Sequence, residues 1–310
     1  MAVNSAELSQ IVDGLSGDVK KISPKYFYDE RGSQLFDEIT RLPEYYLTGA
    51  ELAIMRDNID EICTLVGKRA SLIEFGSGSS LKTRVLLEHL SELAAYVPVD
   101  ISRQHLYAAG AQIRDEFPHI DVQPVVADFT QPFQLPSPAV MPVRNIVYFP
   151  GSTIGNFEYD AAIELLRVMH HEAGEDGALL IGVDLQKDPA LIERAYNDSA
   201  GVTAEFNLNM LRHLNRDYGA NFDVTEFAHS ANYDQDNGRV VIELISKAKQ
   251  TFAVGNTEFE LADGEAILTE YSHKYTLEGF AAMAGQAGFR VAKVWMDAER
   301  LFSVQYCVRL

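Results

Sequence analysis

The run Leu72-Ile-Glu-Phe-Gly-Ser-Gly-Ser-Ser-Leu-Lys-Thr-Arg84 constrains this chain more than any other stretch. An apolar segment ends in an acid and two glycines, and a helical pattern follows. It reads as strand, tight turn and helix. Gly76 and Gly78 let a ligand approach the backbone closely, and the start of the helix offers N–H groups with no partner inside the helix. The expected occupant is small, with a polar, nucleoside-like body. Taken alone, the glycine pair also suits an ordinary strand-to-helix turn, so both readings stand at this point.

The flanks narrow the choice. A dinucleotide fingerprint requires a third glycine where this chain has Leu81, at the place where helix and strand pack closely. That leaves acid-x-Gly-x-Gly-x-Ser, from Glu74 to Ser80. A second strand, Tyr96-Val-Pro-Val-Asp100, ends in a carboxylate one βαβ step later, at a sheet edge where it can bind ribose hydroxyls. Sites for NAD and for S-adenosylmethionine (SAM) both use such an acid. Leu81 disfavours NAD.

Beyond this stretch strands and helices alternate, as in a doubly wound parallel sheet. Strands are expected near 71–75, 96–99, 122–126, 144–149 and 178–184, and helices over 50–65, 81–94, 102–117 and 159–173. After 184 about 90 residues intervene before the pattern resumes with a helix at 276–287 and strands at 291–296 and 301–309. The intervening segment carries a helical pattern and two strands, 239–245 and 265–275. The expected organisation is therefore α/β. A doubly wound domain takes residues 51–186 and 276–310, and an inserted α+β domain takes 1–50 and 187–275, with a helical spacing over residues 5–22 as its lead-in.

Composition removes several classes of function. The 45 acids against 26 bases give a formal net charge of −19, which opposes binding to a phosphate backbone. Two cysteines, Cys63 and Cys307, make no disulfide framework. Met1 to Leu15 shows no basic region followed by an apolar core, and no apolar run approaches a membrane span. A cytoplasmic monomer without nucleic-acid or membrane partners is expected. The eight histidines are scattered without ligand spacing, so no metal site is expected, and no Gly-x-Ser-x-Gly elbow is present.

Several clusters carry candidate chemistry. Val125-Val-Ala-Asp128-Phe129 closes the third strand with an acid and a ring, suited to an adenine's amino group and face, or to a cap beside a core ring. Phe149-Pro-Gly-Ser-Thr-Ile-Gly-Asn156 follows the fourth strand at the carboxyl edge, and Asn156 offers a donor and an acceptor there. Tyr26, Phe27, Tyr28, Tyr45 and Tyr46 form an aromatic cluster, with Gly32 closing the loop after the first three; either a lid over a ligand or packing between domains accounts for it. In Leu268-Thr-Glu-Tyr-Ser-His-Lys-Tyr275, strand alternation places Leu268, Glu270, Ser272 and Lys274 on one side. A carboxylate and a hydroxyl about 7 Å apart on one face suit the two nitrogens of an imidazole, and equally a solvated strand face.

Taken together the residues resemble the histidine-specific, SAM-dependent methyltransferases that form hercynine, the trimethylated histidine precursor of ergothioneine. The resemblance covers nearly the whole chain. It rests on the two stretches around the aromatic cluster, Pro24 to Ser33 and Ile39 to Tyr46, on Glu74-Phe-Gly-Ser-Gly-Ser-Ser-x-Lys-Thr-Arg, and on Gly151-Ser-Thr-Ile-Gly-Asn. It also rests on Ala195-Tyr-Asn-Asp-Ser-Ala-Gly-Val-Thr-Ala-Glu-Phe-Asn and the strand at 268–275. It implies a Rossmann-like class I methyltransferase with an inserted substrate-binding domain. It implies SAM contacts at Tyr28, Gly76, Lys82, Asp100, Asp128 and Phe129, and L-histidine contacts at Tyr45, Asn156, Tyr196, Glu270 and Ser272. In that picture Tyr45 and Asn156 are the catalytic pair that orients the α-amino group, Tyr196 and Asn156 serve the carboxylate, and Glu270 with Ser272 select the imidazole. One position departs from the family pattern: Ile242 stands where a methionine lies beside the substrate, which reshapes the ring pocket and keeps tryptophan, its derivatives and other amino acids in view as alternative substrates.

Overall fold

The first helix, α1 (Ser5–Leu15), buries Ile11 and Leu15 in a computed structural model that describes residues 5–77 and 81–310, so that Gly78 and Ser80 of the glycine stretch lie outside the described residues. The helical spacing read over residues 5–22 ends early, at Ser16-Gly17, where glycine's backbone freedom disfavours a further turn. Lys20–Ile22 instead run extended beside Leu268: the Leu268 N–H donates to the Lys20 carbonyl and the Ile22 N–H to the Leu268 carbonyl, each at 2.9 Å. In α2 (Glu30–Ile39), the Asp29 carboxylate caps the helix by accepting the Gly32 N–H at 2.7 Å. Gly32 therefore sits in the first turn and does not close a loop.

The single helix expected over 50–65 is two, α3 (Tyr46–Asp57) and α4 (Ile59–Val66). They part at Asn58, whose side chain donates to the Ile54 carbonyl at 2.8 Å, the local competition for backbone acceptors that makes asparagine a poor helix residue. There follow β1 (Ala70–Phe75), α5 (Leu81–Leu87), β2 (Ala95–Asp100), α6 (Arg103–Glu116), β3 (Val125–Val126), β4 (Arg144–Phe149), α7 (Tyr159–Ala173) and β5 (Ala178–Asp184). Then come α8 (Pro189–Tyr196), α9 (Val202–Asp217), β6 (Phe227–Asp234), β7 (Arg239–Ser246), β8 (Gln250–Val254), β9 (Thr257–Leu261) and β10 (Ala266–His273). The last elements are α10 (Leu277–Gln286), β11 (Phe289–Met296) and β12 (Phe302–Arg309).

These elements sort into two units: Met1–Tyr46 with Lys187–His273, and Leu47–Gln186 with Lys274–Leu310. The second unit is built on a seven-stranded sheet of order β11-β12-β5-β4-β1-β2-β3. Strands β1 to β5 pair in parallel, and β12 joins β5 antiparallel. Every residue of β1 and β5 is buried, the continuous apolar run of a strand covered on both faces. The third strand is short because Pro124 has no N–H to give the ladder; only Val125 and Val126 pair fully, with an isolated bridge from Val122 to Tyr96.

The first unit holds a three-stranded antiparallel sheet, β10-β7-β6, and a separate hairpin, β8-β9. Leu211 and Leu214 of α9 pack with Leu244 of β7, Ile267 of β10 and Ile11 and Leu15 of α1. Three of these strands, β6, β8 and β9, add to the two read from the sequence, although the Gly255-Asn256 turn between β8 and β9 is a hairpin signal.

Candidate active site

In the second unit the strand order reverses between β1 and β4, which makes the carboxyl ends of β1, β2 and β4 the place where open α/β sheets receive ligands. Gly76, directly after β1, has φ of +73° and donates its N–H to the Val99 carbonyl at 2.9 Å. A Cβ added there would point at the edge of the Phe129 ring, 3.7 Å away, so glycine keeps open the space along that ring. Phe129 is itself propped by Phe75 and Phe149, with ring centroids at 5.5 and 5.8 Å. Asp100 ends β2 half-buried. Burial raises its carboxyl above the ordinary value, against the pull of the Ser102 N–H that it accepts at 2.8 Å. Asp128, exposed, accepts the Thr130 N–H at 3.0 Å and the Thr130 hydroxyl at 2.6 Å. A carboxylate at one strand end, a backbone kept bare by glycine and a ring beside a second carboxylate fit the ribose and adenine of an adenosyl group.

Glu74 lies one layer below. It is buried, accepts the Thr83 hydroxyl of α5 at 2.6 Å and is also hydrogen-bonded by the Tyr96 hydroxyl. Burial pushes this carboxyl up to about 7 although both hydrogen bonds favour its ionised form. The acid that opens the glycine stretch thus ties β1 to β2 and to the first turn of α5.

The loop carrying Asn156 is pinned from several sides. The Glu51 carboxylate of α3, fully buried, accepts the Gly151 N–H at 2.9 and 3.1 Å and forms an ion pair with Lys82. Ser152 follows with φ of +56°, rare for a residue with a side chain, and its hydroxyl accepts the Asp184 N–H at 2.9 Å. Thr153 donates to the Pro150 carbonyl at 3.0 Å, and the Tyr275 hydroxyl to the Ile154 carbonyl at 3.4 Å. Asn156 closes the short 3-10 turn Thr153–Asn156. Beside this loop Asp184 and Lys274 make a fully buried ion pair at 2.8 Å. Lys274 follows directly on the last residue of β10, His273, and its ammonium pairs with Asp184.

The first unit assembles a different surface. Aromatic rings run from Tyr28 to Phe36 (5.9 Å), on to Tyr45 (6.5 Å) and then Tyr196 (6.2 Å), each meeting edge to face, with Phe206 against both Tyr28 and Phe36. The row ends at Ser272, whose hydroxyl lies 2.8 Å from that of Tyr196. Tyr196 is also fixed through its backbone. Its carbonyl only accepts, so the proton on His229 sits at Nε2, 2.8 Å away, leaving Nδ1 to accept from the Asn207 amide at 2.9 Å. Burial lowers the His229 pKa, in keeping with that neutral ring.

On β10, Glu270 pairs with Ile242 and Ser272 with Val240 of β7, so the two share a face as alternation requires. Leu268 does not join them. The register slips between Leu268 and Glu270, Leu268 pairing with Glu243 on the opposite face.

The structure thus brings Tyr28, Tyr45, Tyr196, Glu270 and Ser272 into the first unit, and Gly76, Lys82, Asp100, Asp128, Phe129 and Asn156 into the second. Lys82 reaches Glu51, a residue that sequence reasoning passed over. The signal was present: Leu47, Glu51, Leu52 and Met55 follow the buried spacing of α3, and an acid on an apolar helix face asks for a partner. Phe206, part of the helical pattern of the inserted segment, packs against both Tyr28 and Phe36.

A doubly wound sheet whose last two strands join antiparallel, with β12 inserted beside β5, is the Rossmann-like fold of class I SAM-dependent methyltransferases. Residues 7–309 match the model of a family described as histidine-specific, SAM-dependent methyltransferases, and the chain belongs to that family. It is 39% identical to a histidine N-alpha-methyltransferase of Mycolicibacterium smegmatis, over 96% of this chain and 92% of that protein. It is 36% identical to a protein of the same name from Mycobacterium tuberculosis, over 93% and 90%. Against ergothioneine biosynthesis protein 1 of Neurospora crassa it is 31% identical, over 86% of this chain and 31% of that longer protein. Among the described residues no helix is long and apolar enough to cross a membrane.

Proposed function

We propose that this enzyme methylates the α-amino group of L-histidine, in three rounds, to hercynine, on the route to ergothioneine. The observation that carries the reading within the family is the Tyr196–Ser272 hydroxyl pair at 2.8 Å with Glu270 two residues along the same strand face. Glu270 accepts one imidazole N–H, and Ser272, with its hydroxyl oriented by Tyr196, partners the second ring nitrogen. Tyr45 and Asn156 orient the α-amino nitrogen, and Tyr196 and Asn156 serve the carboxylate.

Gly76, Asp100, Asp128 and Phe129 hold the adenosyl part of SAM, Tyr28 lends an aromatic face, and Lys82 supports the site through Glu51. The bound cofactor supplies an electrophilic methyl on its sulfonium. The chain's residues have to hold the neutral amine in line and keep water out, and orientation of this kind accounts for large rate effects without a strong base. The sheet unit, Leu47–Gln186 with Lys274–Leu310, is the cofactor-binding part, and the other unit selects the substrate. A net charge of −19 favours a monomeric enzyme, because self-repulsion opposes association.

The purified protein, incubated with SAM and each aromatic amino acid and read by mass, is expected to yield trimethylated histidine. Glu270→Ala is expected to lower kcat/KM for histidine by about 10- to 100-fold, the scale of a lost hydrogen bond to a charged group. Absence of any methylated histidine from the wild type sinks the reading, and methylated tryptophan in its place would transfer it to an indole substrate.

A further inference from the structure

We infer that Thr269 is a positioning residue that sets substrate specificity, by locking the β-bulge that turns Glu270 and Ser272 to the substrate face. Leu268 pairs with Glu243 and Glu270 with Ile242, so Thr269 is the extra residue, with no partner of its own in the register. Its side chain is buried and its hydroxyl donates to the Ile242 carbonyl at 3.0 Å. Ile242 is the residue that faces Glu270, so this bond holds the bulge against the strand that fixes Glu270's register.

The outer edge of β10 is held at the same point. The Leu268 N–H and carbonyl are both taken by the extended segment Lys20–Ile22, at 2.9 Å each. Leu268 is thus clamped from outside and Thr269 from inside, and the strand has one place where its register steps.

The consequence follows from the two-residue period of a strand. Without the bulge, Thr269 would face Ile242 and Glu270 would face Val241, which turns Glu270 and Ser272 together to the opposite side. Ser272 would then lose the Tyr196 hydroxyl, 2.8 Å away in the observed register. A hydroxyl bonded to the neighbouring strand's carbonyl thereby decides which side of the strand presents the carboxylate. Bulges that re-aim a side chain beside a site are a recurrent device.

The inference rests on the proposed histidine reading. Its test compares T269V, which keeps the shape and loses the donor, with T269A and T269S, measuring KM and kcat/KM for L-histidine and L-tryptophan, and SAM affinity by calorimetry as a check on folding. T269V and T269A are expected to raise the histidine KM about tenfold or more and to narrow the preference for histidine over tryptophan, the effect of one lost buried hydrogen bond. SAM affinity is expected to stay within about twofold, because all the assigned cofactor residues except Tyr28 belong to the other unit. T269S is expected to recover most of the loss. A T269V or T269A protein that binds SAM and keeps the wild-type histidine KM overturns the role, as does T269S impaired as deeply as T269V. If the wild type itself leaves histidine unmethylated, the substrate reading fails first and this inference falls with it.

Discussion

Glu51 shows how a single residue organises the sheet unit. Its carboxylate occupies the space where a side chain on Gly182 of β5 would begin, so the glycine in that buried strand is there to admit the acid. From that position it holds the Gly151 N–H and Lys82. Removing either charge leaves the other without its partner in a poorly solvated place. E51A is expected to cost about 3 kcal/mol, and E51A/K82A less than the sum of its single variants, because the pair acts as one unit. Urea unfolding of the four proteins checks this, and strict additivity would remove the coupling. Gly76, Asp100 and Asp128-Phe129 were legible as a constellation because each ends a strand at one sheet edge, which the βαβ spacing alone requires. Glu51 was not, because its partners lie 31 and 100 positions away along the chain, at Lys82 and Gly151, and no local pattern records that meeting.

At the scale of elements, Asp29 joins two helices. It caps α2 through the Gly32 N–H and reaches α9, where Asn209 donates to it at 2.8 Å and Arg216 forms an ion pair at 2.9 Å. Burial works to raise this carboxyl, but the Gly32 N–H, Arg216 and Asn209 together hold it below the usual carboxylate range. A depressed folded-state pKa contributes stability above the unfolded value and loses it as the pH falls through the folded one. D29N is therefore expected to be about 2 kcal/mol less stable than the wild type at neutral pH, with the gap shrinking below about pH 4. Denaturant midpoints measured across that range decide it; a gap that widens in acid refutes the assignment.

The elements of the doubly wound sheet followed from apolar runs and turn residues. The inserted unit was harder to read. Its strands β6 and β7 carry alternating, half-buried faces, a weaker signal than a run buried on both sides, and β8 and β9 are only five residues each. The bulge at Thr269 also moved Leu268 to the far face, a step that alternation cannot announce.

For the molecule as a whole, the chain leaves the sheet unit after Gln186 and returns to it at Lys274. Saturating SAM, at about 100 times its Kd, is expected to stabilise the fold by about 2.7 kcal/mol. That raises the melting temperature by roughly 4 °C for a chain of this size. NAD at the same concentration should leave it unchanged. Calorimetry or a dye-monitored melt reads both, and a shift with NAD alone would reverse the cofactor assignment.

By itself the sequence determined the doubly wound architecture, the SAM cofactor and the family. These depend on periodicity, on glycine spacing and on motifs that are local in the chain. Only the tertiary structure decided how the site is held. The Glu51 carboxylate meets Lys82 and Gly151, the strained Ser152 is tied to the end of β5, and a threonine hydroxyl steps the register of β10 so that Glu270 and Ser272 share the face on which Ser272 meets Tyr196. Each is a contact between residues far apart in the chain or a one-residue slip in pairing, and both arise only when strands and helices have taken their places.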